Sequence, residues 1–179
     1  MSAVLLDKER AALVVVDVQE AFRKAVEGFD DIARRTAILV RGAQAVGLPV
    51  LVTEQYPRGL GDTVDEVLGP LGETARLPKT VFSAARADGF DLGGRDQALV
   101  CGVEAHVCVS QTVLDLLDAG TAVHVATDAV GSRRASDRAI GLERMERAGA
   151  TLSSTEMALF ELVGRAGTDE FKAVQELIR

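Results

Sequence analysis

The sequence predicts an α/β fold of three layers, in which helices cover both faces of a doubly wound, six-stranded, mainly parallel sheet. Apolar runs of strand length alternate with segments of helical period, as in parallel strands joined by crossover helices. The first run, 12–18, is apolar at successive rather than alternate positions, which indicates burial on both faces. A chain of 179 residues is long enough for one core and short for two, so residues 1–179 are expected to form one domain.

The first half of the chain supplies three strands. After the strand at 12–18, apolar residues at helical spacing predict a helix over 30–46, which Gly47 ends. The second strand is predicted at 49–53. Residues 54–74 are rich in proline and glycine, which predicts a long functional loop with at most one short helix, followed by a short third strand that ends near 77.

The same alternation continues in the second half. The fourth strand is predicted at 97–103, and the helix after it, 107–119, carries a buried stripe and ends before Gly120. The fifth strand, a helix and the sixth strand follow at 122–127, 136–148 and 151–154. Two carboxy-terminal helices complete the predicted fold.

Composition narrows the class of partner and the compartment. Twenty Lys and Arg residues face 27 Asp and Glu residues, and a formal charge of -7 makes nucleic acid and anionic membrane poor partners. The apolar runs are far shorter than the roughly 20 residues that span a bilayer. The amino terminus lacks the pattern of a signal peptide, and two cysteines cannot build a disulfide framework, so a cytoplasmic location is expected.

Common cofactor motifs are missing from the sequence. Neither G-x-G-x-x-G after the first strand nor G-x-x-x-x-G-K-[ST] occurs, and the two histidines, His106 and His124, do not have the spacing of a zinc site with either cysteine. We therefore predict no metal and no organic cofactor. His106 is a candidate for substrate contact, with a hydrogen-bonded structural histidine as the alternative. The positive charges of Arg133, Arg134 and Arg138 are interpreted as an exposed helix entry.

Three polar or nucleophilic residues are predicted at one edge of the sheet. Asp17 lies at the end of the first strand, Lys79 follows the third, and Cys108 opens the helix after the fourth. Open parallel sheets bind ligands at the carboxyl ends of their strands, near the point where strand order reverses. If the order is 3-2-1-4-5-6, the first and fourth strands are neighbours and Asp17 lies beside Cys108.

Each of these residues also has a structural explanation. Cysteine is often a small buried apolar residue, which is how we interpret Cys101 in the fourth strand. Asp17 could cap a loop, and Lys79 could be a solvated charge. Cys108 differs because a thiol in the first turn of a helix feels the positive end of the helix dipole, which favours the thiolate.

Three motifs carry a family resemblance. The segments VVVDVQEAF, PKTVFSA and CGVEAHVCVSQTVLDLL, which contain Asp17, Lys79 and Cys108, resemble the three motifs of isochorismatase-like cysteine hydrolases. Their order, spacing and strand-end placement agree with those motifs. The likeness covers nearly the whole chain through TEQYPRGLGDTV, VHVATDAVGSRRASDRAIGLERM, STEMALFELVG and FKAVQELI, which resemble the branch named for an isochorismatase domain.

The resemblance implies a catalytic triad. Asp17 would take the proton of the Cys108 thiol, Cys108 would attack a carbonyl carbon, and Lys79 would pair with Asp17. The family pattern also implies a cis peptide before Glu104, which would aim the backbone N–H groups of Glu104 and Cys108 at a developing oxyanion. We further predict that Lys79 and the helix start outweigh Asp17. Cys108 should then hold a larger thiolate fraction than Cys101 at neutral pH.

Departures from the family patterns narrow the substrate. Members of the superfamily that cleave isochorismate lack the nucleophilic cysteine, so Cys108 argues against that reaction. Nicotinamidases carry Asp and His metal ligands after the second strand, where this chain has Thr53 to Pro57. The resemblance predicts a substrate pocket lined by Phe22, Glu54, Gln55, Tyr56, Phe82 and His106, although the aromatic residues could equally be packing groups.

The predicted function is hydrolysis of a small amide, ureido or related acyl compound without a metal. The alternative is a protein that binds a small molecule in the same crevice without turning it over. Family members associate through their helical faces, so a homodimer or homotetramer is expected.

Overall fold

The computed structural model describes residues 5–72 and 76–179 and shows the predicted α/β fold. The strands are β1 (Ala11–Val16), β2 (Val50–Gln55), β3 (Arg76–Lys79), β4 (Gln97–Val103), β5 (Ala122–Gly131) and β6 (Thr151–Ser153). The helices are α1 (Phe29–Ala45), α2 (Pro57–Leu60), α3 (Asp65–Leu71), α4 (Ser110–Asp118), α5 (Ala135–Ala148), α6 (Thr155–Val163) and α7 (Asp169–Ile178). Short helical turns lie at Glu20–Phe22, Ala84–Arg86 and Ala105–Val109.

The six strands form one sheet in the order β3-β2-β1-β4-β5-β6, and every strand pair is parallel. This is the strand order considered from the sequence. The chain leaves β1 in opposite directions to form the two halves, so the switch point lies between β1 and β4. The residues that follow these two strands therefore meet at one crevice.

Burial on both faces explains the composition of β1. Leu13 and Val15 pack into the core on the side of α1, α6 and α7, whereas Val14 and Val16 pack into the core on the side of α4 and α5. Because alternate side chains of a strand point to opposite faces, both sets must be apolar when helices cover both faces. The same argument applies to β4, which is buried throughout.

Three local predictions were wrong or incomplete. The segment predicted as a loop over 54–74 holds two helices, α2 and α3, because Val67 and Leu71 bury an apolar face that the glycines and Pro70 obscured. Residues 73 and 74 of that segment lie outside the described residues. Strand β5 continues to Gly131, past the predicted end at 127, with a register irregularity against β4. In the described ranges, no helix has the length and apolarity that crossing a membrane requires.

Candidate active site

Asp17 and Lys79 form a buried ion pair at the carboxyl edge of the sheet. Lys79 Nζ lies 2.7 Å from Asp17 Oδ2, and both side chains are 0% exposed. The other carboxylate oxygen of Asp17 accepts a hydrogen bond of 2.7 Å from Thr53 Oγ1, at the facing position on β2. Asp17 itself has a positive φ of 55°, the left-handed region that few non-glycine residues adopt, which turns the chain out of β1. The pair is therefore held by its surroundings on every side.

The Lys79 ammonium group is surrounded by acceptors. It donates to Gln55 Oε1 at 2.6 Å, to the carbonyl of Phe82 at 2.9 Å and to the carbonyl of Val81 at 3.3 Å. Gln55 is held in turn by Gln19, whose side-chain oxygen accepts from Gln55 N at 2.8 Å. A buried charge is tolerated when a counter-charge and hydrogen bonds replace its hydration, and this site supplies both.

Cys108 completes the group from the other side of the switch point. It lies in the turn Ala105–Val109, which has the wide hydrogen bond of a π-helix from Val109 N to Glu104 O, and its own carbonyl accepts from Thr112 Oγ1. Its thiol interacts with both Asp17 and Lys79. The structure thus brings together the three residues predicted from the motifs.

The predicted thiolate character of Cys108 is wrong. Burial raises the pKa of the Cys108 thiol to about 12, and the Asp17 carboxylate raises it further against the opposing effect of Lys79. Burial also raises the pKa of Cys101 to about 12. The position of Cys108 at a helix start suggested a lowered pKa, but a side chain only 5% exposed loses the hydration that a thiolate needs. Charge does not distinguish the two cysteines at rest.

Access does distinguish them, because Cys108 borders a cavity of about 300 Å³ whereas Cys101 is fully buried in β4. We expect iodoacetamide to modify Cys108 well before Cys101. With a pKa near 12, the rate at Cys108 should rise about tenfold per pH unit from about pH 7 to about pH 9. Lys79→Ala should slow the reaction, because Lys79 lowers the pKa of the thiol. Peptide mass mapping over time measures each rate, and a rate that levels off near neutral pH would contradict the neutral thiol.

The cavity brings three of the six predicted pocket residues next to Cys108. Phe22, Gln55 and Phe82 border it, and the remaining wall consists of Ala21, Ala25, Leu60, Glu104, Val107 and Arg133. Most of these side chains are apolar. The sequence prediction missed Arg133 in particular, which was interpreted as part of an exposed helix entry.

Glu54 and Tyr56 do not border this cavity. The Glu54 carboxylate accepts from Thr63 N and Thr63 Oγ1 at 2.7 and 2.8 Å, so it binds the segment before α3. Strand alternation explains this, because Thr53 and Gln55 face the active site and Glu54 must face away. Tyr56 is 55% exposed and borders a separate cavity of about 570 Å³ beyond β3.

His106 also lies outside the cavity wall, although close to it. Its Nδ1 forms a hydrogen bond of 3.1 Å with Ser132 Oγ and lies 3.3 Å from Glu104 Oε2. The predicted contact of His106 with substrate is therefore replaced by contacts within the protein. Arg138 is likewise not part of a free surface, because it donates to the carbonyls of Val130 and Thr127 at the end of β5.

The loop from β4 to Cys108 is closely packed. The peptide between Val103 and Glu104 is cis, as the family pattern implies. The carbonyl of Glu104 accepts from the N–H groups of Val107 and Val109. Helix α5 packs against this turn at Gly141, where an added Cβ would lie 2.8 Å from the carbonyl oxygen of Ala105. Such packing fixes the backbone that carries Cys108.

The described residues include no group of three or more His, Cys, Asp or Glu side chains placed to hold a metal ion. The polar groups at the crevice are instead one thiol, one carboxylate and one ammonium group. A carboxylate beside a neutral thiol can accept its proton, and the ammonium group stabilises the carboxylate before that transfer. The arrangement is suited to attack by sulfur on an electrophilic carbon.

Comparison with known proteins gives consistent matches. Residues 11–157 match the isochorismatase domain family. "Isochorismatase domain-containing protein 2" of Macaca fascicularis is 45% identical over 170 residues, which cover 93% of this chain and 82% of that protein.

Two solved structures share the fold. The MAR1 ribonuclease structure from Caenorhabditis elegans superposes with a TM-score of 0.91 at 38% identity, over 98% of this chain and 92% of that one. The YcaC protein of Escherichia coli, described as an octameric hydrolase of unknown specificity, superposes with a TM-score of 0.89 at 26% identity, over 99% of this chain and 91% of that one.

Proposed function

Since this chain belongs to the isochorismatase family, we propose that it is a metal-independent cysteine hydrolase of a small amide, ureido or related acyl compound. The observation that carries this proposal is the contact of one thiol with the buried Asp17–Lys79 pair at the wall of a cavity. A volume of about 300 Å³ matches a small molecule and is at the lower end of ligand pockets.

In the proposed first step, Asp17 takes the proton from Cys108 Sγ as the sulfur attacks the acyl carbon. The high pKa of the resting thiol favours transfer during attack over a preformed thiolate. Lys79 stabilises the Asp17 carboxylate before the step. The oxyanion would be bound by the backbone N–H groups of Glu104 and Cys108.

The tetrahedral intermediate then collapses and the bond from carbon to the leaving nitrogen breaks, with the proton on Asp17 passing to that nitrogen. A thioester remains on Cys108. In the second half of the reaction Asp17 accepts a proton from water, the hydroxide adds to the thioester carbon, and the bond from carbon to sulfur breaks. The sulfur recovers the proton from Asp17, so the free acid leaves and the enzyme is restored.

A panel of small amides and ureides tests the function. We expect turnover of at least one class, unaffected by chelator, and an acyl adduct on the peptide that contains Cys108 when the reaction is quenched early. Mass spectrometry measures the adduct. Turnover that depends on added metal would contradict the mechanism, and tight binding without turnover would favour the non-catalytic binding protein.

The name of the C. elegans structure suggests ribonuclease activity as a second candidate. Two observations weigh against RNA as the substrate of this chain: the net charge of -7, and a mostly apolar cavity that is too small for an oligonucleotide. An RNA substrate belongs in the same panel, and its cleavage by wild-type protein but not by Cys108→Ala would replace the proposed substrate class.

For the assembly we propose a homo-oligomer. The octamer described for E. coli YcaC supports association of subunits in this fold, in place of the dimer or tetramer that the sequence suggested. Light scattering determines the number of subunits.

A further inference from the structure

The carboxylate of Glu104 borders the same cavity as Cys108 and has a free acceptor. Glu104 is 4% exposed. Its Oε1 accepts from Arg133 Nε at 3.0 Å, whereas its Oε2 has no hydrogen-bond partner among the residues that the structure describes. A buried charged oxygen without a donor is unfavourable, so this atom is placed at a cost to folding unless a ligand satisfies it.

The neighbouring side chains do not satisfy this oxygen. His106 Nδ1 lies 3.3 Å from Oε2, but its hydrogen-bond geometry is met by Ser132 Oγ at 3.1 Å. The contact of His106 with Oε2 is therefore electrostatic only. Arg133 is engaged through Nε with the other oxygen, and its side chain is 59% exposed at the rim.

The rest of the cavity wall offers Oε2 no alternative donor of its own. Ala21, Phe22, Ala25, Leu60, Phe82 and Val107 contribute apolar surface. A ligand that fills this space displaces water from the carboxylate, and only a ligand that carries its own donor compensates the loss.

We propose that Glu104 Oε2 is the specificity-determining acceptor of the pocket and selects uncharged acyl compounds that carry an N–H group beside the carbonyl. The N–H donates to Oε2 while the apolar part of the compound lies against Phe22 and Phe82. Arg133 is a positioning residue that holds the carboxylate through Oε1. This inference rests on the proposed function, because it assigns the substrate class of the same site.

The charges around Glu104 favour a neutral donor. A substrate carboxylate beside Oε2 would repel the buried Glu104, and a cationic substrate would meet Arg133 at the rim. An ester of the same shape would leave Oε2 dry and unpaired. Sites built to bind an N–H group reject analogues that lack it for this reason.

Binding of one isosteric pair tests the proposal without relying on turnover. The probes are N-methylbenzamide and methyl benzoate, which differ by the exchange of N–H for oxygen, and the protein is the Cys108→Ala variant. Isothermal titration should show the amide binding about 10- to 100-fold tighter than the ester. Equal affinities, or no binding of either probe, would overturn the proposal.

Variants in the same background locate the effect. Glu104→Gln must keep its oxygen towards Arg133 Nε and turn an N–H₂ donor to the cavity, so the preference for the amide should disappear. Arg133→Ala, at an exposed position that folding does not require, should reduce it. Arg134→Ala is the matched control, because this neighbouring arginine is exposed and does not border the cavity. An unchanged preference in both Glu104→Gln and Arg133→Ala would contradict the assignment.

The two proposals fail separately. If Cys108→Ala retains turnover, the proposed mechanism is wrong, but the preference for the amide can still be measured. If Cys108→Ala is inactive and the preference is missing, the hydrolase remains and the role of Glu104 is excluded.

Discussion

Replacement of Cys108 by alanine is expected to lower kcat/KM for any amide or ureide substrate by at least about 10³-fold. The reason is that the proposed pathway passes through a bond between substrate carbon and Cys108 Sγ, and the described residues place no other thiol at the cavity. Asp17 and Lys79 remain in the variant, so any residual rate measures what the carboxylate and the pocket achieve with water alone.

Cys101→Ala is the matched control for this experiment. Cys101 is buried among apolar residues on the α1 side of β4 and does not border the cavity, so its loss should leave the rate within about twofold of wild type and affect mainly stability. Circular dichroism and thermal unfolding establish that both variants are folded. Full activity in Cys108→Ala with Cys108 the only position changed would leave this residue a packing group.

Replacement of Lys79 by methionine is expected to lower the free energy of unfolding by about 3 to 5 kcal/mol. The substitution keeps the volume of the side chain but leaves the Asp17 carboxylate buried, with Thr53 as its printed donor and no counter-charge at 2.7 Å. Gln55 and the carbonyls of Val81 and Phe82 lose their donor as well. Urea unfolding monitored by circular dichroism measures the change.

Two controls separate the buried charge from the substitution itself. Lys172→Met makes the same change in an exposed ion pair with Asp169 on α7, and should cost less than about 1 kcal/mol. The double variant Asp17→Asn with Lys79→Met removes both charges and should recover part of the lost stability. A double variant less stable than Lys79→Met by the sum of the single effects would show that the two residues act independently.

The residues of the motifs could be placed from the sequence because their positions follow from strand periodicity. Parallel strands end at the same edge of a sheet, so Asp17, Lys79 and Cys108 were expected at one crevice once the strands were recognised. The apolar runs also predicted burial on both faces. Strand order followed from the same pattern, because the first strand is the most continuously apolar and lies at the centre.

The pocket wall could be predicted only in part. Alternation along β2 places Gln55 towards the crevice and Glu54 away from it, a signal that the sequence contained but that we did not use. The course of the loops has no such period. Arg133 follows β5, whose end at Gly131 was not recognised, and it reaches the cavity because β5 extends beyond the apolar run that identified it.

The sequence by itself determined the sheet, its helical layers and the three side chains at its switch point, because these depend on local periodicity. Only the tertiary structure decided the ionisation of Cys108 and the unsatisfied oxygen of Glu104. Both properties depend on which distant segments exclude water from a side chain. A helix start predicts a lowered thiol pKa when water is present, and burial by segments far apart in the chain reverses the sign.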